Sequence, residues 1–368
     1  MTEAQTEIHQ AEIQQADAPA GAVAASDNER GGANIDWEFA SSFGRKIARP
    51  GPRVTRYTME QTQAELAAAS RRAEAPVREV TGLADGLPVP AARILDRSGW
   101  IDAAASSMPS MLGIERGGRG VMGKVAGVEA GGLLAFLSSA ILGQYDPFSP
   151  DPETGEPGVL MLVAPNIIAV ERQLRVVPSD FRLWVCLHEV THRVQFSANP
   201  WLPGYMQDNV ALLTGDAGES TADLVGRITE SLRSGRSREK GVFGLMQLVQ
   251  TPEQYAALER VMVLGTLLEG HADHVMDAVG PAHVPTVATI RAAFDRRRTR
   301  PQNPIQRVIR ALIGMDAKMS QYIRGKAFVD AVVDEVGMAA FNTVWTSPET
   351  MPTMAEIGEP HDWVARVL

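Results

Sequence analysis

The pentapeptide His188-Glu189-Val190-Thr191-His192 constrains this chain more than any other stretch. Residues four apart on an α-helix stand one turn above each other, so both imidazoles project from the same face. Glu189 precedes His192 by three positions and can flank the same point. That spacing suits one chemistry: two imidazoles hold zinc while the carboxylate manages the proton of an activated water. The chemistry requires a helix, and the flanking residues predict one. Leu183, Leu187, Val190 and Val194 recur at helical spacing. Ser179 or Asp180 is the expected N-cap, and Asp180 suits the positive end of the helix dipole. Asn199-Pro200 is the expected stop. A helix with two merely structural histidines would bury Glu189 beside them without a partner, which weighs against that reading.

A zinc ion that does chemistry needs a third protein ligand and one open position. The segment from Pro252 to Leu268 is helical in pattern, with Leu258, Val261, Leu264 and Leu268 on one side. It runs into Glu269-Gly270-His271-Ala272-Asp273-His274, where Glu269 and Asp273 are again four apart. Glu269 is the expected third ligand. Asp273 is expected to accept a hydrogen bond from the non-ligating nitrogen of a zinc histidine, fixing its tautomer. This division of labour resembles that of the gluzincins. His271 and His274 compete for the third place, although His271 lies about 200° round the helix from Glu269. Tyr322, Arg324, His271 and His274 are candidates for a donor to the developing oxyanion, and their spacing does not rank them.

Charge and composition narrow the partners. A net charge of −9 argues against nucleic acid or an anionic membrane as the main partner. With 45% hydrophobic and 21% charged residues, the chain has a globular make-up. The single cysteine, Cys186, cannot form an internal disulfide and reads as a small hydrophobe in the zinc helix. The first residues lack the basic start and apolar centre of a secretory signal. The apolar stretch Gly131–Gly143 is too short to span a bilayer and reads as a buried helix. A cytoplasmic protein is expected.

Residues 1–33, rich in Ala, Gln, Glu, Asp and Gly, read as a disordered tail, and 34–368 as one metallohydrolase domain. Helices are expected over Tyr57–Ala75, Pro90–Met108, Leu202–Asp216 and Ser220–Leu232, and through the tail from Val308 onward. Ser234–Lys240 reads as a charged loop, and Arg296–Arg300 as a solvated basic run at a helix end. Gly117–Val125 nearly spells a phosphate loop, but Val125 stands where Ser or Thr is needed, so a flexible loop is expected. Pro147–Gly158 reads as a surface loop. Val159–Val170 is the best strand candidate, broken at Ala164-Pro165. The predicted class is therefore mainly α, α+β at most, with one or two short strands.

Leu187–Phe196, Glu269–Asp277, Leu162–Ile167, Lys318–Tyr322 with Gly325 and Phe328, and Asn342–Trp345 with Pro348-Glu349 together resemble the zincin-like zinc-dependent metalloprotease family of actinobacteria. Its members are also called coenzyme F420 biosynthesis-associated proteins. The resemblance implies a largely helical zinc-peptidase fold and a cytoplasmic location; it implies no substrate, and no residue marks a deazaflavin pocket. The expected function is hydrolysis of a peptide or amide bond, with Glu189 as general base and zinc on His188, His192 and Glu269. A zincin scaffold that binds a protein partner without turnover, and an amidase acting on a small molecule, are the competing readings.

Overall fold

The computed structural model describes residues 35–113, 120–214, 251–299 and 315–368. The expected tail 1–33, the helix Ser220–Leu232 and the loop Ser234–Lys240 lie outside the described residues. The described helices are α1 (Trp37–Ile47), α2 (Arg56–Thr81), α3 (Arg97–Met111), α4 (Val121–Leu137), α5 (Ala164–Leu174), α6 (Pro178–Ala198), α7 (Trp201–Thr214), α8 (Pro252–His283), α9 (Val287–Thr299), α10 (Met315–Phe341), α11 (Met354–Gly358) and α12 (Pro360–Val367). Three strands complete the set: β1 (Arg93–Leu95), β2 (Gly143–Pro150) and β3 (Pro157–Val163). They form one sheet in the order β1-β3-β2, with β1 parallel and β2 antiparallel to β3. The architecture is mainly α with a small mixed sheet.

Several boundaries differ from the sequence reading. Pro90–Met108 is not one helix: Arg93–Leu95 pairs with Met161–Val163, and α3 starts only after Asp96, whose carboxylate caps Gly99 N at 2.7 Å. Sheet pairing overrides the local helical pattern there. Pro147–Gly158 is not wholly loop, because β2 runs to Pro150 and β3 begins at Pro157. Val159–Val170 is a strand only as far as Val163; from Ala164 it is α5, with Pro165 in the first turn where its missing N–H costs nothing. Residues 121–125, expected as flexible loop, form the first turn of α4, and Leu133 on the same helix is half exposed. The cap of α6 is Val177, not Ser179 or Asp180. Asp180 sits in the first turn, where its carboxylate accepts from the Thr286 backbone N–H (3.0 Å) and hydroxyl (2.7 Å).

Helix α6 is the axis of the structure. Its apolar residues Phe181, Leu183, Leu187, Val190 and Val194 pack with Leu66 of α2, Leu162 of β3, Ile167 of α5, Val275 of α8 and Ile290 of α9. Each such side chain, fully buried, contributes about 1.5–3 kcal/mol. Burial is not confined to one stripe, so polar residues of α6 are enclosed too and must find partners. Arg182 donates to both oxygens of Glu171 (2.8 and 3.0 Å) and to Glu65. Arg193 pairs with Glu74 and donates to the Pro90 carbonyl at 2.7 Å. Cys186 is fully buried, and burial pushes its thiol far up, as befits an apolar filler. A second cluster joins Phe196 and Leu202 to Leu264 and Leu267 of α8, Phe328 and Phe341 of α10, and Trp345 and Trp363.

Helix α8 begins with a capping box at Thr251 and Gln254. It crosses α10 where Gly270 meets Gly325: a Cβ on either would collide with the other helix's backbone or Thr266. Two glycines thus allow the close crossing that seats the residue just before Gly270, Glu269.

Candidate metal centre

Helix α6 presents His188 and His192 one turn apart, as the four-residue spacing requires, with their rings edge-on at 4.7 Å between centroids. Helix α8 brings Glu269 against both. The His188 and His192 Nε2 atoms are 3.2 Å apart, and they lie 3.4 and 3.5 Å from the two Glu269 carboxylate oxygens. Among the described residues, these three are the one group able to hold an ion, with all donor atoms within 4.8 Å of one another. Ligands about 2.0–2.1 Å from a tetrahedral zinc ion stand ~3.4 Å apart, so the donor set of two nitrogens and one carboxylate fits such an ion in kind and spacing. The three side chains are partly exposed, as a site with an open position must be.

Electrostatics follow from the crowding. Burial alone would lower the His188 imidazole, but hydrogen bonding and attraction from Glu269, aided by Glu189 and Asp273, raise it to about 9. Against its own burial, the same two histidines hold Glu269 well below the usual carboxylate range. Glu189 is buried beside the ligands, and burial pushes its carboxyl up, only partly offset by His188 and His192. Gly143, the first residue of β2, lies against it. A Cβ there would stand 2.6 Å from Glu189 Cγ and 2.9 Å from Oε1. The edge strand therefore touches the proposed base, a contact with no local signal in the sequence.

The remaining expected residues fall as follows. Asp273 accepts from Arg291 through its carboxylate (3.3 Å) and its backbone carbonyl (2.9 Å). Its charge reaches His188, but its hydrogen bonds run to the arginine, which also pairs with Asp277 at 2.7 Å. The histidine-orienting position seen for His192 is filled by Gln195 instead, whose Oε1 is 2.9 Å from His192 Nδ1. His271 is not in the group of candidate ligands; it is fully buried, its ring 5.4 Å from those of Phe341 and Trp345. Burial there, helped by the charges of His274 and His192, lowers it to about 3. It is thus neither a third ligand nor a donor facing the site. His274 bonds Asp330 through Nδ1 at 2.7 Å, within a chain of charges that includes Lys326 and Asp277. Arg324 is exposed and lines a surface cavity of about 370 Å³ with Phe328, Ile357 and Pro360. The side chain of Tyr322 lies outside the described residues.

The signal for Gln195 is weak: three positions after His192 it shares that residue's face, and a buried amide needs polar partners.

A family model described as zincin-like metallopeptidase matches residues 35–364. Among solved structures, a protein from Chloroflexus aurantiacus, provisionally termed a hydrolase and described as having a novel fold, is similar with a TM-score of 0.62 and 31% identity. The match covers 90% of this chain and 98% of that one. No curated protein matches the chain. With the helices that carry His188, His192 and Glu269 inside a match that spans nearly all of it, the chain belongs to the zincin-like metallopeptidase family.

Proposed function

We propose that the chain is a zinc-dependent hydrolase of gluzincin type that cleaves a peptide or amide bond in the cytoplasm. The observation that carries this reading is the convergence of His188, His192 and Glu269 beside the buried carboxylate of Glu189. When bound, zinc would supply Lewis acidity, bringing the pKa of a water toward ~7 and polarising a carbonyl. His188 and His192 would hold the ion through Nε2, and Glu269 through its carboxylate. Glu189 takes a proton from the attacking water as its oxygen bonds to the carbonyl carbon. It then delivers that proton to the amine nitrogen as the carbon–nitrogen bond breaks. Burial supports this role, since a carboxyl raised above its ordinary range is a better proton acceptor.

Strand β2 favours an extended peptide over a compact small molecule. It is an edge of the sheet, and its first residue touches Glu189. A peptide pairing along that edge would carry its carbonyl past the base by ordinary strand addition. No described helix is long and apolar enough to cross a membrane.

The test is Glu189→Gln, assayed for zinc content and for hydrolysis of a quenched-fluorescent peptide pool. The variant should keep its zinc and lose about 10²–10⁴-fold in rate. Undiminished hydrolysis would exclude Glu189 as the base. A zinc-loaded wild type that cleaves none of the pool would point to the scaffold that binds without turnover.

A further inference from the structure

We infer that Gln195 is a positioning residue that locks the tautomer of His192 and ties the two ligand-bearing helices together, with His271 as its keyed acceptor. The inference rests on the metal reading above, but its argument starts from one backbone carbonyl. Gln195 is fully buried, and its Nε2 lies 3.0 Å from the Leu268 carbonyl. A carbonyl can only accept, so the amide nitrogen must face it. The other end of the amide, Oε1, therefore faces His192 Nδ1 at 2.9 Å. An oxygen there can only accept, so His192 carries a proton on Nδ1, and Nε2 is the nitrogen left to take a metal. Nε2 is the atom that meets His188 and Glu269.

The second amide hydrogen of Gln195 faces His271 Nδ1 at 3.0 Å. That nitrogen must be bare, so the His271 proton sits on Nε2. Among the described residues, this Nε2 is buried with no hydrogen-bond partner. The cost of that orphan group is unexplained by packing, since an apolar residue of similar size would avoid it. A requirement for an acceptor that cannot donate back to Gln195 explains it. The rings of Phe341 and Trp345 wall the pocket at 5.4 Å from the His271 ring.

The arrangement reaches both ligand helices. Leu268 immediately precedes Glu269, and His271 lies two residues beyond it. One side chain on α6 thus reads the backbone beside the carboxylate ligand while orienting the second histidine ligand. Groups that orient metal ligands in this way typically carry 10–100-fold of metal affinity.

The experiment compares full-length wild type with Gln195→Leu by zinc competition against a chromophoric chelator. It also records ¹⁵N-detected imidazole spectra of zinc-loaded and metal-free wild type. The variant should bind zinc about 10–100-fold more weakly. Wild-type His192 should appear as the Nδ1–H form ligated through Nε2, and His271 as the Nε2–H form with or without zinc. Ligation of His192 through Nδ1, or a proton on His271 Nδ1, would overturn the inference. So would a folded Gln195→Leu protein with wild-type zinc affinity, which would make the glutamine merely structural. Should the variant not fold, the wild-type spectra decide alone. Should wild type bind no zinc, the metal reading fails, while the His271 tautomer still tests the amide's orientation.

Discussion

Gly143→Ala isolates the contact between the edge strand and the proposed base. The added methyl would stand 2.6 Å from Glu189 Cγ and 2.7 Å from Cδ. Carbon atoms in contact prefer about 3.5 Å or more, so the carboxylate or the strand must give by about 0.9 Å. Glu189 is only 6% exposed, so it has little room to swing aside. Displacing a catalytic group by about 1 Å costs on the order of 10²-fold, or about 2.7 kcal/mol of barrier. Overpacking should also lower stability by about 1–3 kcal/mol. The three atoms nearest the added methyl all belong to Glu189 and none to the candidate ligands His188, His192 and Glu269, so zinc stoichiometry should hold. The assay is kcat on the peptide pool, with zinc content by mass spectrometry and folding by circular dichroism. A zinc-replete, folded variant with wild-type kcat would refute the placement of Glu189 as the base.

Four further outcomes are expected. Glu269→Ala should purify without stoichiometric zinc while staying folded, because it removes one of three ligands and the part-exposed His188 can release the proton that Glu269 held; a full zinc complement would remove Glu269 from the ligand set. In the metal-free site His188 holds its proton to about pH 9, so zinc must displace it, and apparent zinc affinity should climb about tenfold per pH unit from neutrality to there. The same raised value stabilises the metal-free fold: the contribution is whole below the ordinary 6.5 and fades as pH rises to about 9. Thermal melts in chelator should fall across that window, and Glu269→Gln, which removes the main attraction, should flatten the slope. Arg182→Ala should cost about 3–5 kcal/mol in urea denaturation, because it strands the buried Glu171 carboxylate; a loss under 1 kcal/mol would show that Glu171 finds another partner.

Much of the site was legible before the fold. His188 and His192 are one turn apart on any helix, and Glu269 and Asp273 likewise share a face, so periodicity alone nominated both ligand segments. What periodicity could not convey is which groups face each other across elements. Asp273 has the spacing to serve a zinc histidine, yet Arg291 from α9 takes its hydrogen bonds. Gln195, unremarked on a helix read as apolar, holds His192. Arg93–Leu95 has a helical local pattern and becomes a strand because β3 offers it a parallel edge.

By itself the sequence determined the residue types, their spacing along two helices and hence a mainly helical metal-binding class, since these follow from a repeat of 3.6 residues per turn. Only tertiary structure decided that the Gly270–Gly325 crossing seats Glu269 opposite the histidines, and that Gly143 abuts Glu189. Such contacts depend on the angle and offset at which elements cross, and those are set by packing of the whole core rather than by any local run of residues.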